Sequence, residues 1–115
     1  MDPRAADTPR PPYYCVIFTS RRKKHIEDDY GDASARMLEL AAQMPGFLGI
    51  ESARDPEGIG ITVSYWESEE AIKNWREHAE HLVVQRMGRD RFYEWYESRV
   101  AKVERATSFR SGGAA

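Results

Sequence analysis

Three histidines and one cysteine are the side chains of this sequence best suited to acid–base, nucleophilic or metal chemistry. His78 and His81 form an H-x-x-H pair, but a metal site needs a third ligand and supporting contacts that fix the imidazoles. Helical spacing from Trp75 places His78 at the edge of the inward face and His81 on the outer face, which splits the pair. We therefore expect no metal site. His25, in the charged segment RRKKH, is interpreted as a solvated loop residue.

His78 by itself has two interpretations. It follows Trp75 by about one helical turn and lies between a polar and an apolar helix face. It is either a hydrogen-bonded histidine at the rim of the core or a half-buried imidazole that accepts a proton near neutral pH. Cys15 lies within an apolar strand and is expected to be a buried, unreactive thiol.

The tryptophans are the second group of candidates. Trp66 ends a predicted strand and shares one strand face with Thr62 and Ser64. Large aromatic side chains at strand or helix spacing usually belong to the core, but hydroxyls beside an indole and directed at the helix layer favour a cavity wall. No P-loop, G-x-S-x-G or G-x-G-x-x-G motif is present in the sequence, so the common NTPase, hydrolase and dinucleotide signatures are missing.

Periodicity and turn residues predict the elements that position these side chains. Pro45-Gly46 ends the first long helix, and Ser68 caps the second, ahead of Glu69 and Glu70. The predicted strands cover residues 13–20, 47–53, 60–66 and 100–109, and the predicted helices cover 28–44, 69–87 and, as a short aromatic helix, 92–96. We predict that residues 13–109 form one folded domain between disordered tails at 1–12 and 110–115.

The order β-α-β-β-α-β predicts an α+β, ferredoxin-like unit with both helices on one face of the sheet. The first strand is apolar on both sides, which is typical of a strand covered on both faces. A bare apolar sheet face would be a large patch to leave in water. A two-fold homodimer packed face to face would cover it, so we expect a dimeric α/β barrel.

Composition excludes several classes of protein. The 115 residues carry a net charge of −2, which leaves no basic surplus for nucleic acid. No apolar run approaches the ~20 residues of a membrane-spanning helix, and the first residues lack the apolar core of a signal peptide. One cysteine cannot form an internal disulfide or a multi-cysteine metal site. These features predict a cytoplasmic protein without a nucleic-acid or membrane partner.

Two segments give the chain a family resemblance. The segment MPGFLGIE (44–51), followed by ITVSYWESEEA (61–71), Trp75 and His78, resembles the antibiotic biosynthesis monooxygenase family. The resemblance covers residues 13–109 and implies a dimeric α/β barrel. One type of enzyme in this family oxidises anthrone-like phenols to quinones with dioxygen, without flavin, metal or haem.

The resemblance implies a cofactor-independent monooxygenase for a small electron-rich aromatic, such as an anthrone or quinol. His78 is then the expected catalytic base, acting directly or through water. Trp66 matches the tryptophan that lines the pocket of such enzymes, and Thr62 stands where they have a polar amide. The expected substrate-binding residues are Phe18, Thr62, Ser64, Trp66 and Trp75.

Two alternatives stay open. A second type of enzyme in the family opens the haem ring with an Asn, Trp and His trio, in which Trp75 resembles the tryptophan. Gln85 stands where the iron-ligating histidine is expected, so His78 or His81 would have to coordinate the iron. Haem binding and degradation is therefore the alternative activity, and a non-catalytic dimer that binds a small aromatic metabolite is the other.

Overall fold

The main strands and helices follow one another in the predicted order β-α-β-β-α-β. The computed structural model describes residues 5–23, 36–86 and 93–112, with side chains as far as Ala79 in the second long helix. The elements are β1 (Tyr13–Arg22), α1 (36–42), β2 (Phe47–Arg54), β3 (Ile59–Trp66), α2 (Glu69–Arg86) and β4 (Tyr93–Val103). The first three strands and α2 confirm the prediction to within two residues at each end. The predicted helical residues 28–35, His25 and residues 87–92 lie outside the described ranges.

The strands form one antiparallel, four-stranded sheet in the order β2-β3-β1-β4. With α1 between β1 and β2 and α2 between β3 and β4, this is the predicted α+β ferredoxin-like fold. The strand that the sequence marks as apolar on both sides, β1, is a central strand paired on both edges. The dimeric barrel stays a prediction.

Cross-strand register divides the side chains between two sides of the sheet. Residues directly opposite in antiparallel strands point to the same side. Thr62, opposite Phe18, therefore shares a side with Trp66, whose indole packs against α2. We call this side the helix face. Tyr65, opposite Cys15, lies on the other side, which we call the open face.

The hydrophobic core lies between the helices and the end of the helix face that carries Trp66. The turn at Gly46 brings the start of β2 against α2: its φ is +87°, and a Cβ atom there would lie 2.6 Å from the Cβ of Ala71. Only glycine fits this turn. Ser68 caps α2 by accepting a hydrogen bond from the Ala71 amide at 3.1 Å. The buried core residues are Ala41, Trp66, Ala71 and Ile72, with Tyr14, Val16, Met44, Phe47 and Trp75 packed against them.

The aromatic segment after α2 forms a strand, so the prediction of a short helix there is wrong. Tyr93 and Tyr96 are three residues apart, which matches helical spacing, yet both rings pack on Phe18 of β1. The β1–β4 register shifts between Arg21 and Arg22, as it does at a β-bulge. Tyr96 lies on the helix face by regular alternation, and the extra residue of the bulge puts Tyr93 on the same face, so two strand residues three apart show a helical spacing.

The last strand also ends earlier than predicted. Its final residue, Val103, pairs with Tyr13, the first residue of β1. Before Tyr13 the chain passes through Pro11 and Pro12, which have no amide hydrogen to offer a ladder. The predicted continuation over residues 104–109 is therefore wrong, because β1 offers no further partner.

The segment that precedes β1 lies against the open face. The Ala6 amide donates to a carboxylate oxygen of Glu51 at 3.0 Å, and Thr8 Oγ1 lies 3.0 Å from the Tyr13 hydroxyl. On the same face, Ile61 and Trp95 are 49% and 43% exposed. Within the described ranges, no helix is both long and apolar enough to cross a membrane.

Candidate active site on the helix face

All six residues predicted for the site lie on or against one side of the sheet. Phe18 is directly opposite Thr62, and Ser64 and Trp66 follow Thr62 on the same side of β3. Trp75 and His78 join this row from α2. The structure therefore brings the predicted residues together as one continuous row, with the Trp66 end under the helices and Phe18 and Thr62 further along the sheet.

The Trp66 end of the row is tightly packed, and its buried polar groups hydrogen-bond to each other. The indole of Trp66 is 0% exposed. It contacts the ring of Phe47 edge-on at 5.4 Å between centroids and stacks on Trp75 at 6.3 Å. Its N–H donates to Ser64 Oγ at 2.9 Å, and Ser64 is itself buried. A buried indole N–H needs such a partner, so Trp66 serves the core and closes this end of the row.

Trp75 and His78 extend the row towards solvent. The Trp75 ring is half-buried, and the His78 imidazole lies against it with 5.9 Å between ring centroids. His78 is exposed, so the expectation of a half-buried imidazole is wrong. The reason is its place on α2: it is the outermost ring of a stack whose inner member is Trp66. The side chains of His81 and Gln85 lie outside the described part of the chain.

The other end of the row is accessible. Thr62 and Phe18 are half-buried, and the neighbouring Ser52 on β2 is exposed. Thr62 Oγ1 donates to Ser52 Oγ at 3.3 Å, which adds a second hydroxyl to the row. Phe18 stacks on Tyr96 at 5.2 Å and meets Tyr93 edge-on at 5.6 Å. Hydroxyls beside half-buried aromatic rings are suited to an aromatic ligand that carries oxygen substituents.

The sequence prediction missed Ser52, Arg54 and Tyr96 as neighbours of the site. On β2, Ser52 and Arg54 reach the helix face because the β2–β3 register shifts between Phe47 and Gly49. On β4, Tyr96 pairs with Ser20 and lies on the helix face by regular strand alternation, but the sequence analysis had assigned its segment to a helix. A local sequence pattern does not reveal how neighbouring strands pair, so these residues could be found only once the strand pairing was known.

The described groups with displaced pKa values lie on the open face, away from this row. Burial raises the pKa of Tyr65, and its 2.6 Å hydrogen bond to the Glu51 carboxylate raises that pKa further. Burial also raises the pKa of the Cys15 thiol, as predicted for an unreactive cysteine, and a backbone hydrogen bond from Ala101 offsets part of this rise. Within the described part of the chain, no cluster of His, Cys, Asp or Glu could hold a metal ion.

A four-stranded antiparallel sheet with helices on one face and a hydroxyl row beneath them defines an α+β, ferredoxin-like domain with a candidate ligand site. The chain belongs to the antibiotic biosynthesis monooxygenase family, whose sequence profile matches residues 13–87.

Two sequence relatives and one solved structure extend this finding. The chain is 52% identical to the uncharacterized protein YqjZ of Bacillus subtilis, over 90% of both chains. It is 31% identical over 93 residues to the jasmonate monooxygenase ABM of Pyricularia oryzae, where the match covers 78% of this chain but 43% of the relative. Its fold is similar to that of SnoaB, a cofactor-independent oxygenase from Streptomyces nogalater, with a TM-score of 0.67, 12% identity and coverage of 82% and 95% of the two chains.

Proposed function

We propose that this protein is a cofactor-independent monooxygenase that oxidises an electron-rich aromatic, such as an anthrone or quinol, with dioxygen. The observation that carries the proposal is the accessible Thr62–Ser52 hydroxyl pair beside the half-buried ring of Phe18. Membership of the family and the similarity in fold to SnoaB support it. The substrate ring lies on the helix face, with its oxygen substituents directed at these hydroxyls.

The reaction needs a base, a dry aromatic surface and hydrogen bonds to the ring oxygens. An anthrone loses a proton, and its anion passes an electron to dioxygen; the two radicals then join in a C–O bond. The O–O bond of that peroxide breaks, one oxygen atom stays on carbon as the new carbonyl, and the other leaves as water with the two ring hydrogens. Dioxygen is thus the oxidant, and no second reductant is required.

Each residue of the row has a part in this proposal. His78 takes the substrate proton, directly or through water, and its exposed position lets it return that proton to solvent. Trp75 and Phe18 shield the reacting ring, and Trp66 closes the row and holds Ser64 in place. Thr62 and its partner Ser52 are the hydrogen-bonding groups for the ring oxygens. Ser64, which was expected to bind substrate as well, is buried and accepts the Trp66 N–H, so in this proposal it supports Trp66 instead.

An oxygen electrode tests the proposal directly. The full chain, dialysed against a chelator, is expected to consume oxygen with anthrone and to form the quinone. His78→Ala should lower turnover by about 10²–10⁴-fold, the usual scale for losing a general base. Asn74→Ala, an exposed change on the same helix, is the matched control and should leave turnover unchanged.

Two results would contradict parts of this proposal. If His78→Ala matches the wild type, His78 is not the base. If the wild-type protein consumes no oxygen with either an anthrone or a quinol, the activity is not that of a cofactor-independent monooxygenase. Adding micromolar haem separates the alternatives: a shifted Soret band that decays with reductant identifies haem degradation, whereas tight aromatic binding without oxygen uptake identifies a binding protein.

We also propose that a second copy of the chain covers the open face. Ile61 and Trp95 expose 49% and 43% of their surface there, and the central strand β1 presents Ile17 on the same side. Sedimentation should give twice the chain mass of 13.2 kDa. Ile61→Lys should shift the protein towards monomer, whereas Leu38→Lys, 39% exposed on α1, should not. A wild-type protein that sediments as a monomer contradicts the proposal.

A further inference from the structure

The guanidinium of Arg54 occupies an unusual position on the helix face. Arg54 is the last residue of β2, directly opposite Gly60 of β3, which is in turn opposite Ser20 of β1. Its side chain crosses β3 above Gly60. Nη1 donates to the Gly58 carbonyl, and Nη2 lies 3.5 Å from Ser20 Oγ. The charge is therefore held over the sheet by hydrogen bonds to β1 and to the turn before β3.

Gly60 is what allows this arrangement. A Cβ atom at position 60 would lie 2.6 Å from Cζ and 2.7 Å from Nη2 of Arg54. The guanidinium therefore fills the space that any other residue would give to its own side chain. Because it is the far end of a flexible side chain, a Cβ atom at this position would push the guanidinium aside rather than disrupt the strands.

Arg54 is continuous with the accessible end of the site. Arg54 is half-buried, Ser52 precedes it on the same face of β2, and Thr62 is the next residue of β3 on that face after Gly60. Two residues along a strand span about 6.8 Å, which matches the long dimension of a bicyclic aromatic ring. A ring placed against Phe18 and Thr62 can thus bring a substituent to the Arg54 guanidinium.

The positive charge of Arg54 favours a ligand that carries a negative group at this end of the site. The helix face of β2 and β3 presents Phe47, Ile50, Ser52, Arg54, Gly60, Thr62, Ser64 and Trp66. Arg54 is the single charged side chain in that set, which lies wholly within the described residues. A half-buried planar guanidinium is well suited to a carboxylate, because its N–H donors lie in a fixed fork that matches the two carboxylate oxygens.

We propose that Arg54 is a specificity-determining residue that binds a carboxylate on the aromatic substrate, so that the protein acts on aromatic acids in preference to neutral aromatics. The proposal rests on the proposed function for the identity of the site. It goes further by naming the substrate class. Ser52 and Thr62 then bind the ring oxygen while Arg54 fixes the acid group at the opposite end.

The test compares 2-naphthoate with 2-naphthamide, which have nearly the same shape and differ in charge. Binding is followed by calorimetry on the full-length protein, so no oxygen chemistry is involved. The wild type is expected to bind the acid at least about ten-fold more tightly than the amide, the scale of one charge-assisted hydrogen bond. Arg54→Gln should abolish this preference, and Arg54→Lys should keep part of it.

Two further variants test whether the preference for the acid depends on the position of the Arg54 guanidinium or only on the net charge of the protein. Gly60→Ala keeps the arginine but displaces its guanidinium, and it should reduce the preference for the acid as Arg54→Gln does. Arg99→Gln removes the same charge from the exposed open side of β4 and should leave the preference unchanged. Circular dichroism establishes that each variant is folded; if Arg54→Gln is not, Gly60→Ala and Arg54→Lys carry the test.

The outcomes distinguish this inference from the proposed function. Equal affinity of the wild type for acid and amide, or a full preference retained in Arg54→Gln, overturns the role of Arg54. If the wild type nevertheless consumes oxygen with neutral anthrone, the proposed function stands without this inference. If the acid is preferred as expected but no aromatic supports oxygen uptake, Arg54 marks a binding site for aromatic acids and the oxygenase proposal fails.

Discussion

The two ends of the helix face are built from similar residue types but differ in exposure. At the Trp66 end, an indole N–H and the Ser64 hydroxyl satisfy each other inside the core. At the Arg54 end, Ser52 and Thr62 also pair, but both they and the guanidinium reach the surface. The comparison teaches that a row of hydroxyls and aromatics can serve packing at one end and remain available to a ligand at the other.

Truncating Trp66 should give the largest effect on stability. Trp66→Ala empties a fully buried position and is expected to cost about 3–5 kcal/mol in the free energy of unfolding. Urea denaturation followed by circular dichroism measures this cost. Phe109→Ala, at 86% exposure, is the control and should change stability by less than about 0.5 kcal/mol. A similar cost for both variants would show that the Trp66 end is not the packed end.

Removing the hydrogen bond between Trp66 and Ser64 should lower the free energy of unfolding by a smaller amount, and the costs of the two single variants should not add. Trp66→Phe leaves the buried Ser64 hydroxyl without its indole donor, and Ser64→Ala leaves the indole N–H without an acceptor. Each is expected to cost about 1–3 kcal/mol. The double variant should cost less than the sum, because it removes both partners. Strict additivity in the same denaturation experiment would contradict this pairing.

The smallest expected effect on the free energy of unfolding comes from Tyr65 on the open face, and it is expected only at alkaline pH. The folded-state pKa of Tyr65 is raised above its unfolded value by burial and by Glu51. Its contribution to stability is therefore complete below the ordinary tyrosine pKa of about 10 and is lost as pH rises above it. Tyr65→Phe should flatten this decline in unfolding free energy.

The Tyr65 experiment needs one precaution. The pKa of Cys15 is raised as well, which gives a loss of stability of the same sign at high pH. Denaturation curves between about pH 8 and 11 are therefore best measured in a Cys15→Ala background. An undiminished alkaline decline in the Tyr65→Phe protein would mean that Tyr65 is not its source.

Much of the fold could be predicted because local preferences and tertiary pairing agree. The β-branched and aromatic run of β1 and the capped, acidic start of α2 specify their own secondary structure. The segment around Tyr93 and Tyr96 could not be predicted, since its bulge gives strand residues the spacing of a helix. Local pattern and true pairing conflict there, and the pairing with β1 decides the structure.

The candidate site shows the same division. Strand alternation correctly placed Thr62, Ser64 and Trp66 on one face, because a period of two fixes the sides of a regular strand. It could not show that Trp66 is fully buried or that His78 is exposed, because both depend on how α2 packs. Nor could it pair Arg54 with Gly60, because strand alternation does not show which residues of β2 and β3 lie opposite each other.

The measurement that tests the central claim most directly compares two threonines on opposite faces of the sheet. Thr62 and Thr19 are both half-buried strand residues, the first on the helix face and the second on the open face. Oxygen uptake with anthrone should show kcat/KM lowered about ten-fold in Thr62→Val, the cost of one lost hydrogen bond, and unchanged in Thr19→Val. Equal rates in the two variants, or a loss confined to Thr19→Val, would contradict a catalytic site on the helix face.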